Sequence, residues 1–267
     1  MINSCFFRKY AAILALSVSA VLFLPIACTK SSSAGEKPET GVITMTTMDP
    51  DVSFDIGLTL GTDSLVIDWG NGEGSKAYAT LSEPSCCCYL KVSHSYSESS
   101  EHNITITSNG IEYLDCAMNQ LTNLDVSRNT VLTHLRCEYN QLTTLDVSRN
   151  RTIKELACFN NQLTTLNVSN TALTDLCCNH NQLSTLDVSN TALIYLYCVD
   201  NRLTVTALNE LFRTLPKRTD LQTKHSRYPD PLFTLYIHDN PGTSDCDVSI
   251  AQEKRWKVYP PLISGER

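Results

Sequence analysis

Five near-copies of one motif, LxxLxCxxNxLxxLDVS, follow one another without a gap from residue 111 to about 205. They read IEYLDCAMNQLTNLDVSRNTV from Ile111, LTHLRCEYNQLTTLDVSRNRT from Leu132 and IKELACFNNQLTTLNVSNTA from Ile153. LTDLCCNHNQLSTLDVSNTA from Leu173 and LIYLYCVDNRLTV from Leu193 complete the series. A period of 20 or 21 residues held this strictly restricts the fold, because one unit is too short to bury its own apolar residues and must stack on its neighbours. Alternation along a strand puts Leu135 and Cys137 on one face and Arg136 and Glu138 on the other. Stacked strands of this kind make a parallel sheet. Leu121, Leu124 and Val126, with their equivalents, supply an opposite inward wall. Asn119, Asn140, Asn161, Asn181 and Asn201 recur at one offset, where each can satisfy main-chain groups that the turn would otherwise strand inside.

Each unit also brings a cysteine, at Cys116, Cys137, Cys158, Cys178 and Cys198. Parallel strands lie about 4.8 Å apart with equivalent side chains pointing the same way, whereas a disulfide needs its Cβ atoms about 3.8 Å apart and turned toward each other. Zinc needs ligands converging on a point rather than a straight row. These thiols therefore read as small buried hydrophobes with raised pKa values, against the alternatives of adventitious metal binding and redox chemistry. Cys177, beside Cys178, should point outward as a reachable thiol, and it reads as an incidental substitution. The last two full copies are one residue shorter, lacking a counterpart of Arg128 and Arg149 beside Ser169 and Ser189, as a loop on the back of a coil tolerates.

The motif resembles the leucine-rich repeat, LxxLxLxxNxL, with Cys in the third Leu position. That resemblance implies a solenoid with a parallel sheet; with the flanks, the expected fold is an α/β repeat, mostly β, preceded by a small antiparallel β module and closed by a helix-containing C-terminal cap. It also implies recognition through the exposed strand face. The candidate ligand-binding residues there are Met118, His134, Arg136, Glu138, Tyr139, Glu155, Phe159, His180, Tyr195 and Tyr197. Tyr139, Phe159 and His180 are expected to share one exposed column, with Met118 before them and Asp200 after.

The flanks read differently. Arg8 and Lys9 precede the apolar run AAILALSVSAVLFLPIA, an export-signal pattern, and the segment up to Cys28 resembles a bacterial lipoprotein signal. Residues 1–27 are thus expected to be a signal peptide, with Cys28 lipidated and residues 28–40 forming a Ser- and Gly-containing tether. Removing Arg8 and Lys9 takes the formal net charge from −7 to −9. With no basic stripe, nucleic acid is an unsuitable partner. Residues 41–110 alternate apolar and polar with glycine-rich turns, a β pattern. Within them IDWGNGE from Ile67, HSYSE from His94 and NITITS from Asn103 resemble a PKD-type β module. Asp68, Asn71 and Glu73 lack the ligand spacing of a calcium loop and read as turn residues. Cys86 and Cys88 of SCCCYL should share a strand face with Cys87 opposite, and one disulfide could form in this module. Beyond the repeats of 111–204, residues 205–267 should form an amphipathic helix (Leu208, Leu211, Phe212 and Leu215), a final repeat with Ile237 and Asn240, and a cap.

No nucleophile, base and oxyanion donors can be assembled from the sequence. His238 and Asp239, adjacent on an expected strand, point apart. The reading is a non-catalytic binding or adhesion protein of the bacterial cell envelope, without cofactor or metal. Its partners would be a protein, peptide or glycan, with the membrane reached through the lipid on Cys28. The alternative is a thiol-based metal-binding or redox protein using Cys86, Cys87, Cys88 and Cys177.

Overall fold

The alternation of GVITMTT and DVSFDIGL buries Ile43 and Met45 of β1 (Gly41–Thr47) and Val52, Phe54 and Ile56 of β2 (Asp51–Leu58). These strands do not pair with each other. A computed structural model describes residues 41–59, 65–72, 76–78, 88–217 and 233–259, with the backbone alone at 76–78, 88 and 89. The expected signal peptide, Cys28, the tether, Glu73, and the side chains of Cys86, Cys87 and Cys88 lie outside the described residues. Further N-terminal strands are β3 (Leu65–Asp68), β4 (Lys76–Tyr78), β5 (Cys88–Ser95) and β6 (His102–Ser108). The repeats supply β7 (Ile111–Asp115) to β14: β8 (Leu121–Asp125), β9 (His134–Arg136), β10 (Thr144–Asp146), β11 (Glu155–Ala157), β12 (Thr165–Asn167), β13 (Asp175–Cys177) and β14 (Tyr195–Tyr197). Then come α1 (Val205–Thr214), β15 (Phe233–Tyr236), α2 (Ser249–Glu253) and β16 (Trp256–Tyr259).

Among the described residues the strands form two walls. One is a nine-stranded sheet in the order β16-β15-β14-β13-β11-β9-β7-β2-β5. From β7 to β16 it is parallel and in register, so that Leu114, Leu135, Leu156, Leu176, Leu196 and Leu235 form one buried row. The opposite wall contains β4-β3-β6-β1-β8 and the pair β10-β12. The coils stack as a solenoid, mostly β, with a parallel sheet, the fold that the resemblance to the leucine-rich repeat implies. Both walls run into the N-terminal strands, because β2 pairs antiparallel with β7 and β1 pairs antiparallel with β8. Asn119 secures that seam, accepting from Ser53 N (2.8 Å) and donating to Ser53 O (3.0 Å).

In the coils the asparagine ladder works as its spacing predicts. Asn161 accepts from Leu142 N (3.0 Å) and donates to Cys137 O (2.9 Å) and Cys158 O (3.1 Å). Asn140, Asn181, Asn201 and Asn240 repeat the pattern. One side chain thus ties each coil to the coil before it, satisfying buried main-chain groups that no ladder strand reaches. The one-residue shortening changes the back turn. In the longer copies Asn150 reaches the preceding coil at Val126 O (2.9 Å) and Asn129 O (2.7 Å). Thr171 and Thr191 stand there in the shorter copies, and each hydroxyl donates within its own turn, to Val168 O (2.7 Å) and Val188 O (2.6 Å). The residues before them, Asn170 and Asn190, turn the chain at φ 59° and 56°, values that asparagine tolerates better than most side chains.

The C-terminal end closes as a solenoid must. Thr204 caps α1, accepting from Ala207 N, while Leu208, Leu211, Phe212 and Leu215 are buried. Gly242 lets the turn after Asn240 lie against the start of α1, since a Cβ there would come within 2.3 Å of Val205 N. Ile237 fills the cysteine position and is fully buried. Strand β16 then pairs parallel with β15, and Trp256 donates from Nε1 to Pro216 O (2.9 Å) with its ring edge-on to Phe233.

The three N-terminal motifs converge. Trp69 stacks between Phe54 and His94, and the Tyr96 hydroxyl donates to Trp69 O (2.7 Å). Burial, with Asp68 nearby, pushes that phenol up to about 12. Gly70, at φ 71°, lies so close to Asn103 O that a Cβ would approach it to 2.3 Å.

Candidate binding surface

Among the described residues the interior offers no reactive thiol. Cys116, Cys137, Cys158, Cys178 and Cys198 are free and buried between the walls. Three donate to a main-chain oxygen of the next coil: Cys116 to Arg136 O (3.4 Å), Cys137 to Ala157 O (3.5 Å) and Cys198 to Tyr236 O (3.4 Å). Burial pushes all five thiols up, Cys198 to about 12, and the neighbouring sulfurs add to the rise at the other four. A thiol held protonated is neither nucleophile nor ligand. Cys177 departs from expectation. Its alternation is as expected, in line with Arg136 and Ala157, but it is buried and disulfide-bonded rather than a reachable thiol. The partner sulfur is not among the described side chains.

On the strand face away from the core, register sets the columns. Tyr113, His134, Glu155, Asp175, Tyr195 and Thr234 form one; Asp115, Arg136, Ala157, Cys177, Tyr197 and Tyr236 form the next. The middle of this face is not open. Ala157 and Cys177 are buried, as are Glu138, Phe159, Asn179 and Val199 beside them. The expectation that Glu138 and Phe159 present contact surface is therefore corrected.

At the N-terminal end the Arg136 guanidinium is held between Asp115 (3.1 Å) and the Glu138 carboxylate. Burial disfavours its charge, but the two carboxylates outweigh that and push its pKa up. Burial also raises Glu138 against the pull of Arg136, and its second oxygen, Oε2, has no hydrogen-bond partner. His134 Nε2 lies 3.6 Å from Glu155 Oε1. At the C-terminal end Tyr197 lies within 5.1 Å of Tyr236, which also packs against Tyr195 (5.7 Å) and stacks on Tyr259 (4.6 Å). These four rings are half-buried. His238 and Asp239 lie beyond β15 rather than on it, with His238 Nε2 4.0 Å from the carboxylate. Burial lowers the His238 pKa against the opposing pull of Asp239, and His180 adds to the fall.

An accessible row lies at the rim, where the chain leaves each strand. Met118, Tyr139, Asn160, His180, Asp200 and Asp239 occupy it, one per coil, all in the left-handed region at φ 50° to 60°. Each of the first five donates its N–H to the next coil, for example Tyr139 N to Phe159 O (3.1 Å) and His180 N to Val199 O (2.9 Å). With the backbone fixed this way the side chains project from the edge. Met118 is 66% exposed and Tyr139 39%. The column expected to hold Tyr139, Phe159 and His180 instead holds Asn160 in its middle. Phe159 sits one column inward, edge-on to Tyr139 at 5.3 Å. His180 Nδ1 lies 2.7 Å from Asp200 Oδ2.

Two further exposed residues near the rim were missed as candidates. Asp239 precedes Asn240 just as Tyr139 precedes Asn140, so aligning on the asparagine column finds it. Met48, 39% exposed, follows Thr47, whose hydroxyl donates to Asn119 O (2.5 Å) next to Met118, and no local sequence signal predicts that contact.

No family model matches the chain, and no curated protein matches it. Among solved structures it is similar to the functional domain of InlJ from Listeria monocytogenes, described as including a cysteine ladder. That match is 23% identical, covers 55% of this chain and 49% of the other, and has a TM-score of 0.31. A leucine-rich repeat domain of a Shigella effector is 22% identical over 55% of this chain and 80% of its own, with a TM-score of 0.28. This chain thus spans about half the length of the listerial one.

Proposed function

We propose that the protein is a non-catalytic binding protein of the bacterial cell envelope, held at the membrane by a lipid on Cys28 and a tether over residues 28–40. Residues 41–110 serve as a PKD-like module that also caps the repeats of 111–204, a reading supported by the convergence of Trp69, His94, Tyr96 and Asn103. Partner protein or glycan is met at the rim and the C-terminal tyrosines rather than at the middle of the strand face, where Glu138 and Phe159 are buried.

One observation carries the reading. Met48, Met118 and Tyr139 are the large apolar side chains that are exposed among the described residues; Met118 and Tyr139 are successive on the rim, and Met48 follows Thr47, which bonds Asn119 O. Grouped exposed apolar side chains on an otherwise polar surface mark contact sites, and aromatic residues dominate binding energy at such sites. The thiol-based alternative loses the one of its four cysteines whose side chain is described, because Cys177 is buried and disulfide-bonded.

The test is a screen of protein and glycan arrays with the full chain in detergent micelles, beside a Met118→Ser/Tyr139→Ser variant. Both positions are exposed, so the variant should keep the parent's stability to within about 0.5 kcal/mol each. The reading expects specific capture that the variant loses. Capture of the same array components at undiminished affinity by the variant refutes it. Incorporation of labelled fatty acid, abolished by Cys28→Ala, tests the anchor separately.

A further inference from the structure

The rim row is graded along its length. Its N-terminal end is apolar, with Met118 and Tyr139. Its C-terminal end is acidic: the Asp200 side chain is 58% exposed and the Asp239 side chain 69%. Exposed Asp245 and Asp247 follow in the tight turn after Asn240, where Asp245 N donates to Gly242 O (3.3 Å). Exposed Arg202 on the adjacent column offsets one of these four charges, and His180 lies against Asp200. Alongside the row runs a column of exposed amides, Gln120, Gln141 and Gln162.

We infer that this rim takes an extended segment of a partner polypeptide, one that carries a large apolar side chain at one end and basic side chains at the other. The inference rests on the binding function proposed above and deepens it by naming the partner's chemistry. The length fits. From Met118 to Asp239 the row climbs five coil steps, about 24 Å at ~4.8 Å each, which an extended chain covers in about seven residues. Met118 and Tyr139 supply the apolar contact, and the carboxylates at the far end select basic over acidic side chains, since complementary charge fixes orientation and rejects wrong partners. The glutamine column offers amide donors and acceptors to a main chain lying beside it. A segment bound here adds no strand to the sheet, because the rim N–H groups from Met118 to Asp200 are already bonded to the next coil.

Four fluorescein-labelled nonapeptides in a Gly-Ser background test this by fluorescence anisotropy against the full chain in detergent micelles. One carries Leu-Phe and Arg-Arg at opposite ends, one Leu-Phe and Glu-Glu, one Leu-Phe alone and one Arg-Arg alone, each made in both sequence directions. The apolar-basic probe should bind about fivefold more tightly than the apolar probe, an advantage of the size that two exposed charge pairs supply. That advantage should vanish in 0.5 M salt, where screening is within ~4 Å. Asp200→Asn/Asp239→Asn should erase it while leaving the apolar probe unchanged, and Met118→Ser/Tyr139→Ser should weaken every probe bearing Leu-Phe. The inference is overturned if the Glu-Glu probe binds as well as the Arg-Arg one, if the basic advantage survives in the aspartate variant, or if no probe binds. A second copy occupying the rim, seen as a dimer in sedimentation that Met118→Ser/Tyr139→Ser disrupts, also overturns it. Array capture that depends on Met118 and Tyr139, combined with indifference to peptide charge, would leave the binding function standing and remove only this partner.

Discussion

Replacing Asn161 by alanine should destabilise the solenoid by about 3 kcal/mol, a value that follows from which main-chain groups lose their partners. Asn161 lies between its own coil and the one before it. Its Nδ2 donates to Cys137 O (2.9 Å) and Cys158 O (3.1 Å), and its Oδ1 accepts from Leu142 N (3.0 Å). The two carbonyls are not orphaned by the change, because Cys137 O also accepts from Asn140 and Cys158 O from Asn181. Leu142 N has no such reserve among the contacts described. One stranded buried donor costs about 1–3 kcal/mol, and each of two weakened carbonyl contacts about 0.5–1 kcal/mol. Asn161→Asp should be worse near neutral pH. It keeps the acceptor for Leu142 N but sets an anion against two carbonyl oxygens. Urea unfolding followed by circular dichroism, analysed at constant m-value, measures both. A loss below about 0.5 kcal/mol for Asn161→Ala would refute the ladder argument, since that is the effect of an ordinary surface substitution.

Two other perturbations test the ends of the molecule. Glu138→Gln should change the pH dependence of stability. Burial raises the folded-state pKa of Glu138, so its contribution is fully present below the unfolded value near 4.5 and is lost as pH rises through the folded value. The variant should therefore gain on the parent from pH 4 to pH 7, read as diverging urea midpoints, and parallel profiles would contradict it. Trp256→Ala removes the ring packed on Phe233 and the bond to Pro216 O (2.9 Å). It should cost about 3–5 kcal/mol and expose the last coil to limited proteolysis, whereas unchanged protease resistance would show that the end closes by other means.

How far the sequence could be read depended on the range of the contacts. The coils were legible because every element recurs 20 or 21 residues on, so Leu135 and Leu156 announce their pairing by their spacing. The helix at Leu208, Leu211 and Phe212 was legible for the same local reason. The destinations of β1 and β2 were not. Both alternate apolar and polar residues, and nothing in that alternation says that Met45 pairs with Leu124 on one wall while Ile56 pairs with Leu114 on the other. On the surface, strand alternation put Arg136 and Cys177 on the correct face, but alternation does not report whether that face is open, and Glu138, Phe159 and Cys177 are buried there. Matching Phe159 to Tyr139 as the aromatic residue of its coil puts it on the rim, but FNN aligned on EYN sets Phe159 level with Glu138. The rim position is the residue directly before the ladder asparagine, which is Asn160. Aligning on the asparagine rather than on the aromatic ring separates them.

Mass-spectrometric mapping of iodoacetamide labelling on the full chain in detergent micelles, at pH 8.5 with and without urea, tests the packing role of the sulfurs most directly. Half-buried Cys246 serves as the comparison within the same molecule. Protection of Cys116, Cys137, Cys158, Cys178 and Cys198 until the fold is lost is the predicted result. Stoichiometric labelling of those five sites on the folded protein would contradict it, and with it the view that recognition is left to the rim.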